Sequence, residues 1–271
     1  MNIQKQGKMQ KIEFNSLEEF YKYICETPLN DTFRFSRLAS IESDERFTNT
    51  KSFEEACDLF KNGWTQMSET LKNRLKVEGK FEPTLTSRNV QDVQGYHPIV
   101  PLYLMGVPNN MVSRKMVPMK QKIVTLNKSF DYNCRVKVEQ IIDESIKALR
   151  IIQKLESQNY RVNLNIIIGV SGGIGRYADE KYFIKIRLKS ANEKLNISKL
   201  SFPMVHPSML RRLYFRFMEV YPGVSEYFRT GYGTPQQPQM LRAIWSDDIL
   251  LPQFINKDID KINTLEDLEN L

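Results

Sequence analysis

The most regular pattern of apolar and polar positions lies in the middle of the chain. Over residues 136–157, Ile141, Ile142, Ala148, Leu149, Ile152 and Leu155 recur at spacings of three and four, while Glu139, Asp143, Glu144, Lys147, Arg150 and Lys154 take the opposite side. That spacing predicts one amphipathic helix, with Asn159 placed to cap its end. Residues 160–170 (YRVNLNIIIGV) alternate at first and then become continuously apolar, as a strand does on entering a buried sheet. Residues 182–188 set Lys185 and Arg187 against Tyr182, Ile184, Ile186 and Leu188, the pattern of a one-sided strand at a sheet edge. A further apolar run, KIVTL from Lys122, predicts a strand ahead of the helix. The order strand, helix, strand, strand over 122–189 makes the chain an α/β protein.

On either side the pattern is weaker. Residues 1–11 are polar and basic, and read as a mobile tail. Ser16 with Glu19, and Ser52 with Glu55, have the spacing of capping boxes and start two helices. The second is predicted to run through Gly63-Trp64 to about residue 76, although a mid-helix glycine costs about 1 kcal/mol against alanine. Residues 32–41 read as a strand. Prolines and glycines punctuate 95–111, a partly buried connector that divides an N-terminal, mainly helical and loop-rich section (1–110) from the core (111–271). Beyond the core, Pro207 opens a helix whose apolar face is Leu210, Leu213, Tyr214, Phe217 and Met218. A polar loop (231–239), a short strand within 243–251 and an acidic helix capped by Thr264 complete the chain.

Two loops bear on chemistry. Gly169, Gly172, Gly173 and Gly175 lie between two predicted strands, with no helix N-terminus to hold a phosphate, and read as a hairpin turn. Asn127-Lys128-Ser129-Phe130-Asp131 stands where the first core strand hands over to the helix. This order of elements and this polar loop resemble the von Willebrand factor A-like domain over about residues 122–254. The resemblance implies a three-layer, Rossmann-like core. It also implies a divalent-ion loop of the form Asp-x-Ser-x-Ser, in which Asn127 here replaces the leading carboxylate and Asp131 the last serine. Loss of that carboxylate weakens a hard-cation site, so no metal or other cofactor is expected. The segments KSFEEA, VPLYLMGVPNNM and FPMVHPSMLRR also resemble an uncharacterised family of bacteriophages and other mobile elements, which implies a phage context and no established activity.

Composition adds class and compartment. The 271 residues are 41% hydrophobic and 26% charged, as in ordinary globular proteins. No apolar run is long enough to span a bilayer, the N-terminus lacks a signal-peptide core, and the three cysteines are scattered. The expectation is a cytoplasmic protein, in the host cell if phage-encoded, with reduced thiols and no membrane partner.

Charge is concentrated. Of the net +7, most lies in 111–137, where Arg114, Lys115, Lys120, Lys122, Lys128, Arg135 and Lys137 face one acid, Asp131. Such a segment suits DNA or RNA, with Phe130 and Tyr132 free either to stack on bases or to pack in the core. The two histidines, His97 and His206, each precede a proline and have no ligand-spaced partner for zinc. His206 either orients the turn before its helix or joins Arg211, Arg212 and Arg216 in an anion pocket. The leading expectation is a non-catalytic binding protein engaging nucleic acid, with no catalytic residue assigned. The alternatives are an enzyme acting on nucleotides or phosphate esters through His206, Arg211 and Arg212, or a structural component binding a phage or host protein.

Overall fold

The structure is a computed structural model that describes residues 1–29, 37–75, 85–118, 122–172, 179–225, 228, 231–262 and 264–271. The N-terminal part comprises β1 (Asn2–Gln6), β2 (Met9–Phe14), α1 (Leu17–Glu26), α2 (Ala39–Glu42), α3 (Glu45–Thr48), α4 (Phe53–Asn62) and α5 (Thr65–Leu75). Next come β3 (Leu85–Asp92), β4 (His97–Pro98), α6 (Val100–Leu104) and β5 (Met111–Pro118), then β6 (Lys122–Ser129), α7 (Val138–Ser157), β7 (Tyr160–Ser171) and β8 (Lys181–Lys189). The last third holds α8 (Ile197–Val205), a π-helix (Met209–Tyr214), α9 (Phe215–Val220), α10 (Pro222–Ser225), β9 (Thr234–Pro235), α11 (Pro238–Ile244), β10 (Ile249–Leu251) and α12 (Leu265–Glu269).

The main sheet has the order β1-β2-β8-β7-β6-β10, with β9 added along the end of β7. The pairs β6–β7, β6–β10 and β2–β8 are parallel; β7–β8 and β1–β2 are antiparallel. The helix α7 forms where its pattern places it, starting two residues later than predicted and ending just before Asn159, whose φ of 69° is the left-handed conformation that stops a helix. Its face of Ile141, Ala148, Leu149, Ile152 and Leu155 meets the even-numbered side of β6 and β7, from Val124 and Leu126 to Val162 and Ile166. The same core takes in α1, α8, the π-helix and α9.

The opposite face of the sheet is only partly covered. There α11 and the turn after it pack Leu241 and Trp245 on Ile167, Phe183 and Leu250. Thr125, Asn163, Lys185 and Arg187 on that face are polar, and only the last is fully exposed.

Several expectations need correction. Residues 1–11 are not a loose tail: β1 and β2 form a hairpin about Gly7 (φ 59°), and β2 pairs with β8 from Met9 to Phe14. In consequence β8 is an inner strand, and its Lys185 and Arg187 report the polar face of the sheet instead of an edge. The long second helix is two helices, α4 and α5. They break at Gly63, which has φ 78° and where a Cβ would approach Ser198 O to 2.9 Å. Of the strand expected over 32–41, residues 32–36 lie outside the described residues and the rest includes helix α2. A separate three-stranded sheet, β3-β5-β4, straddles residue 110, and its connector is largely exposed, with Tyr103, Leu104 and Met105 each more than 60% accessible.

Candidate functional site

β6 and β7 run parallel, and β7 continues four residues beyond the partner of Ser129, the last residue of β6. The chain leaves β6 through 130–137 into α7, while β10 lies on the other side of β6. In an open α/β sheet such a reversal of strand order leaves a crevice beyond the carboxyl ends, where ligands bind. Near the carboxyl ends of β6 and β7 lies a cavity of about 290 Å³. Ile168 and Val170 of β7 and the loop residues Asp131, Tyr132, Asn133 and Cys134 form one side. Leu210, Arg211 and Tyr214 of the π-helix form another, with Phe215 following. Ser43 and Phe47, around α3, and Tyr232 close it, and Arg37 lies exposed at its margin.

The side chains of this cavity are poorly satisfied by the protein. Among the described residues, six buried side-chain nitrogen or oxygen atoms lack a hydrogen-bond partner. Four of them are Ser43 Oγ, Asp131 Oδ2, Arg211 Nε and Tyr214 Oη, all on residues that line the cavity. Each of the four residues is more than nine-tenths buried. Of the other two atoms, Glu156 Oε1 is 2.7 Å from Lys189 Nζ in an ion pair, and Glu180 Oε2 belongs to a residue away from the cavity wall. Orphaned buried polar atoms are rare in folded proteins and costly, about 1–3 kcal/mol each, so their gathering in one place marks that place.

The π-helix explains how two adjacent arginines come to be buried. All six of its residues are inaccessible or nearly so, leaving no solvent face, and Arg211 and Arg212 project in different directions. Arg212 is a strut. Its guanidinium donates to Thr50 Oγ1 (2.7 Å) and to the carbonyls of Ser40, Ile41, Ser43 and Thr50 (2.8–3.2 Å), fixing the segment that brings Ser43 and Phe47 to the cavity. Arg211 lies over the Phe47 ring at 4.3 Å and donates to Phe47 O (2.7 Å) and Val136 O (2.6 Å). These acceptors are neutral carbonyls, and among the described residues no carboxylate forms an ion pair with Arg211. Burial accordingly pushes its pKa down.

Asp131, also on the cavity wall, has a different balance. Its Oδ1 accepts from the Ser129 hydroxyl and from Gln253 Nε2 (2.8 Å), while Oδ2 has no partner. Burial raises its pKa against those hydrogen bonds, and burial together with the charge of Asp131 holds the Tyr214 phenol well above the usual tyrosine value. Tyr232 is anchored: its hydroxyl donates to Glu219 Oε1 (2.5 Å) and accepts from Ala39 N–H (2.7 Å), and its ring stacks on Phe215 at 4.1 Å.

Only Arg211 of the four anion-pocket candidates lines this cavity. His206 is packed between Trp64 (4.5 Å) and Phe202 (5.0 Å), and its Nδ1 accepts from Ser208 N–H (3.1 Å). Burial pushes its pKa down to about 3, so it is a neutral ring that shapes the bend into the π-helix. Arg216 is 3.8 Å from the buried Glu219.

The basic segment does not form one surface. Arg114 and Lys115 lie on β5, where Arg114 sits over Tyr96 (5.8 Å) and Lys115 pairs with Asp92 (2.5 Å). Lys122 is exposed at the start of β6, about 23 Å of strand away from the end that leads to the exposed Arg135 and Lys137. Lys120 lies outside the described residues. Lys128 is a correction: strand alternation turns it into the core, fully buried, where Nζ donates to Pro252 O (2.5 Å) and Gln253 O (2.9 Å). Desolvation pushes its pKa down to about 7, and it cannot reach a phosphate at the surface. Phe130 and Tyr132 are core residues, 0% and 4% accessible.

The segment with metal-site resemblance is not the expected loop: Asn127, Lys128 and Ser129 are the last residues of β6, and only Phe130 and Asp131 follow it. Asn127 donates to Asp248 Oδ2 (2.9 Å) and accepts from Asn165 (2.8 Å), while Ser129 is spent on Asp131. Among the described residues no three His, Cys, Asp or Glu side chains group to hold a metal ion, and no helix is long and apolar enough to cross a membrane. Sequence reasoning found Arg211 but missed Ser43, Phe47 and Tyr214 as site residues. Tyr214 read as core, and nothing local marks Ser43 or Phe47, which lie far in sequence from both the 131–134 loop and the π-helix.

No curated protein and no solved structure matches the chain. The sequence does match, over residues 2–270, the family described as "Domain of unknown function (DUF7192)", and the chain belongs to that family.

Proposed function

We propose that this is a non-catalytic binding protein whose cavity at the carboxyl edge of β6 and β7 takes a small anionic molecule. The observation that carries the reading is that Ser43, Asp131, Arg211 and Tyr214, each with a buried side-chain atom that lacks a protein partner, all line one cavity. Arg211 supplies positive charge there, and a bound anion would complete both the charge and the hydrogen bonds. The basic residues of 111–137 lend less support to nucleic acid, because Lys128 is inside and the described remainder is divided among β5 and the two ends of β6. Kinship with von Willebrand A-like domains is supported by the order β8-β7-β6-β10, with antiparallel β8, and by the polar residues Asn127, Ser129 and Asp131 at the end of β6. Three-layer packing has less support, given the partly covered second face, and a phage context rests on the resemblance of the sequence segments.

Thermal denaturation of the purified chain with a panel of small carboxylates, phosphate esters and sulfonates tests the proposal. A ligand at 100 times its Kd adds about 2.7 kcal/mol and raises Tm by several degrees. The double variant Ser43→Ala/Tyr214→Phe should fold and lose most of that shift. A wild-type Tm that no anion moves, or a shift that the double variant keeps in full, contradicts the proposal.

A further inference from the structure

We infer that the anion is a compact monocarboxylate carrying an aromatic ring, held by its carboxylate between Arg211 and Tyr214 with the ring against Phe47 and Phe215. This rests on the proposed function and names the ligand class for the same site.

Charge selects a single negative charge. Among the described residues Arg211 is the one buried cation on the wall, and its protein acceptors are uncharged carbonyls. Asp131 makes no ion pair with it: Oδ1 accepts from the Ser129 hydroxyl and from Gln253 Nε2, and burial raises the pKa of this carboxyl against its hydrogen bonds. A monoanion neutralises such a site, whereas a dianion brings an unpaired charge into a low-dielectric interior.

Donor geometry selects a carboxylate over a phosphate. The Nη1 and Nη2 of Arg211 are drawn to Phe47 O and Val136 O, so the guanidinium does not offer an open fork. What remains are Arg211 Nε–H, the Tyr214 hydroxyl and the Ser43 hydroxyl, each a separate donor. Two carboxylate oxygens, with about four lone-pair sites between them, match that supply. Phosphates are usually cradled by runs of backbone N–H groups at a glycine-rich turn or helix N-terminus, and the unpartnered donors here are side chains.

The walls select the body of the ligand. Phe47 and Phe215 are stacked at 6.4 Å, and Tyr232 lies on Phe215, while Ile168 and Val170 supply an aliphatic side. At about 290 Å³ the space is at the low end of small-molecule pockets, which span roughly 300–1,000 Å³. It suits one ring and a short acid arm better than a nucleotide.

Isothermal titration of the full chain with benzoate, 3-phenylpropionate, benzyl alcohol, phenyl phosphate and L-phenylalanine tests the assignment. At least one of the two carboxylates should bind, and benzyl alcohol should be weaker by roughly tenfold or more. Tyr214→Phe, checked for native circular dichroism, should weaken the carboxylate by roughly tenfold. Phenyl phosphate binding tighter than both carboxylates overturns the inference while leaving the anion cavity standing. L-Phenylalanine binding tighter than 3-phenylpropionate also overturns it, since an ammonium preference means Asp131 is ionised. Benzyl alcohol equal to the carboxylates removes the role of Arg211. Absence of binding by all five overturns the inference, and the broader anion panel above then decides whether the cavity reading survives.

Discussion

A buried hydroxyl without a partner weakens the free protein, and this makes the site readable through stability as well as through binding. Tyr214 and Ser43 each carry such a group on the cavity wall. Removing only the oxygen relieves a desolvation cost and leaves the packed ring or Cβ in place. Tyr214→Phe and Ser43→Ala are therefore expected to leave the unfolding free energy unchanged or raise it by up to about 1 kcal/mol, measured by urea denaturation without ligand. A loss of 2 kcal/mol or more in either variant means that the oxygen has a structural partner. Lys128 gives a second test at this scale. Its pKa is pushed down to about 7 in the folded protein, so above that pH the unfolded chain binds the extra proton and unfolding becomes harder as pH rises. Stability should rise from pH 7 to about 9, at most by about 1.4 kcal/mol per pH unit, and Lys128→Met should flatten the rise. Above that window Cys57 and Tyr23, both pushed up to about 12, act in the opposite sense, because the folded chain then keeps the protons. A wild-type profile that falls between pH 7 and 9 would show that Lys128 stays charged in the core.

At the scale of elements, the break between α4 and α5 is set by one residue. Gly63 combines a φ of 78° with a Cβ direction that points at Ser198 O, 2.9 Å away, so α5 docks on α8 only without a side chain there. Gly63→Ala is expected to cost about 1–3 kcal/mol in urea denaturation. An unchanged midpoint would mean that the α4–α5 junction relaxes freely. The helix α7 and strand β7 were legible because their apolar positions keep one period over 20 and 12 residues. β8 was misplaced for a physical reason: alternation reports that one face is polar, and Lys185 and Arg187 satisfy it on an inner strand under a thinly covered face. β1 was missed because an edge strand exposed along its whole length carries no apolar signal at all. The helix after Pro207 was legible as a helix, but burial on all sides was not. That burial depends on the contacts of Arg212 with 40–50, a segment distant in sequence.

At the scale of the molecule, the site is a product of topology. Asp131 stands at the end of β6, Arg211 and Tyr214 come from the π-helix, Ser43 and Phe47 from the N-terminal part, and Tyr232 from the segment before β9. Only the first position follows from the strand-to-helix handover that the sequence displays. The others meet there because the N-terminal hairpin joins the same sheet and because Arg212 and Glu219 pin distant segments across the top of the core. Ser40 and Tyr232 both bond to Glu219, which ties two walls of the cavity to α9. The most direct test of an anion site in this cavity is a crystal structure grown with millimolar 3-phenylpropionate. The carboxylate is expected within about 3.2 Å of both Arg211 Nε and Tyr214 Oη, with the phenyl ring against Phe47 and Phe215. Contradiction would be a cavity holding only ordered water bonded to Ser43, Asp131, Arg211 and Tyr214 at saturating ligand.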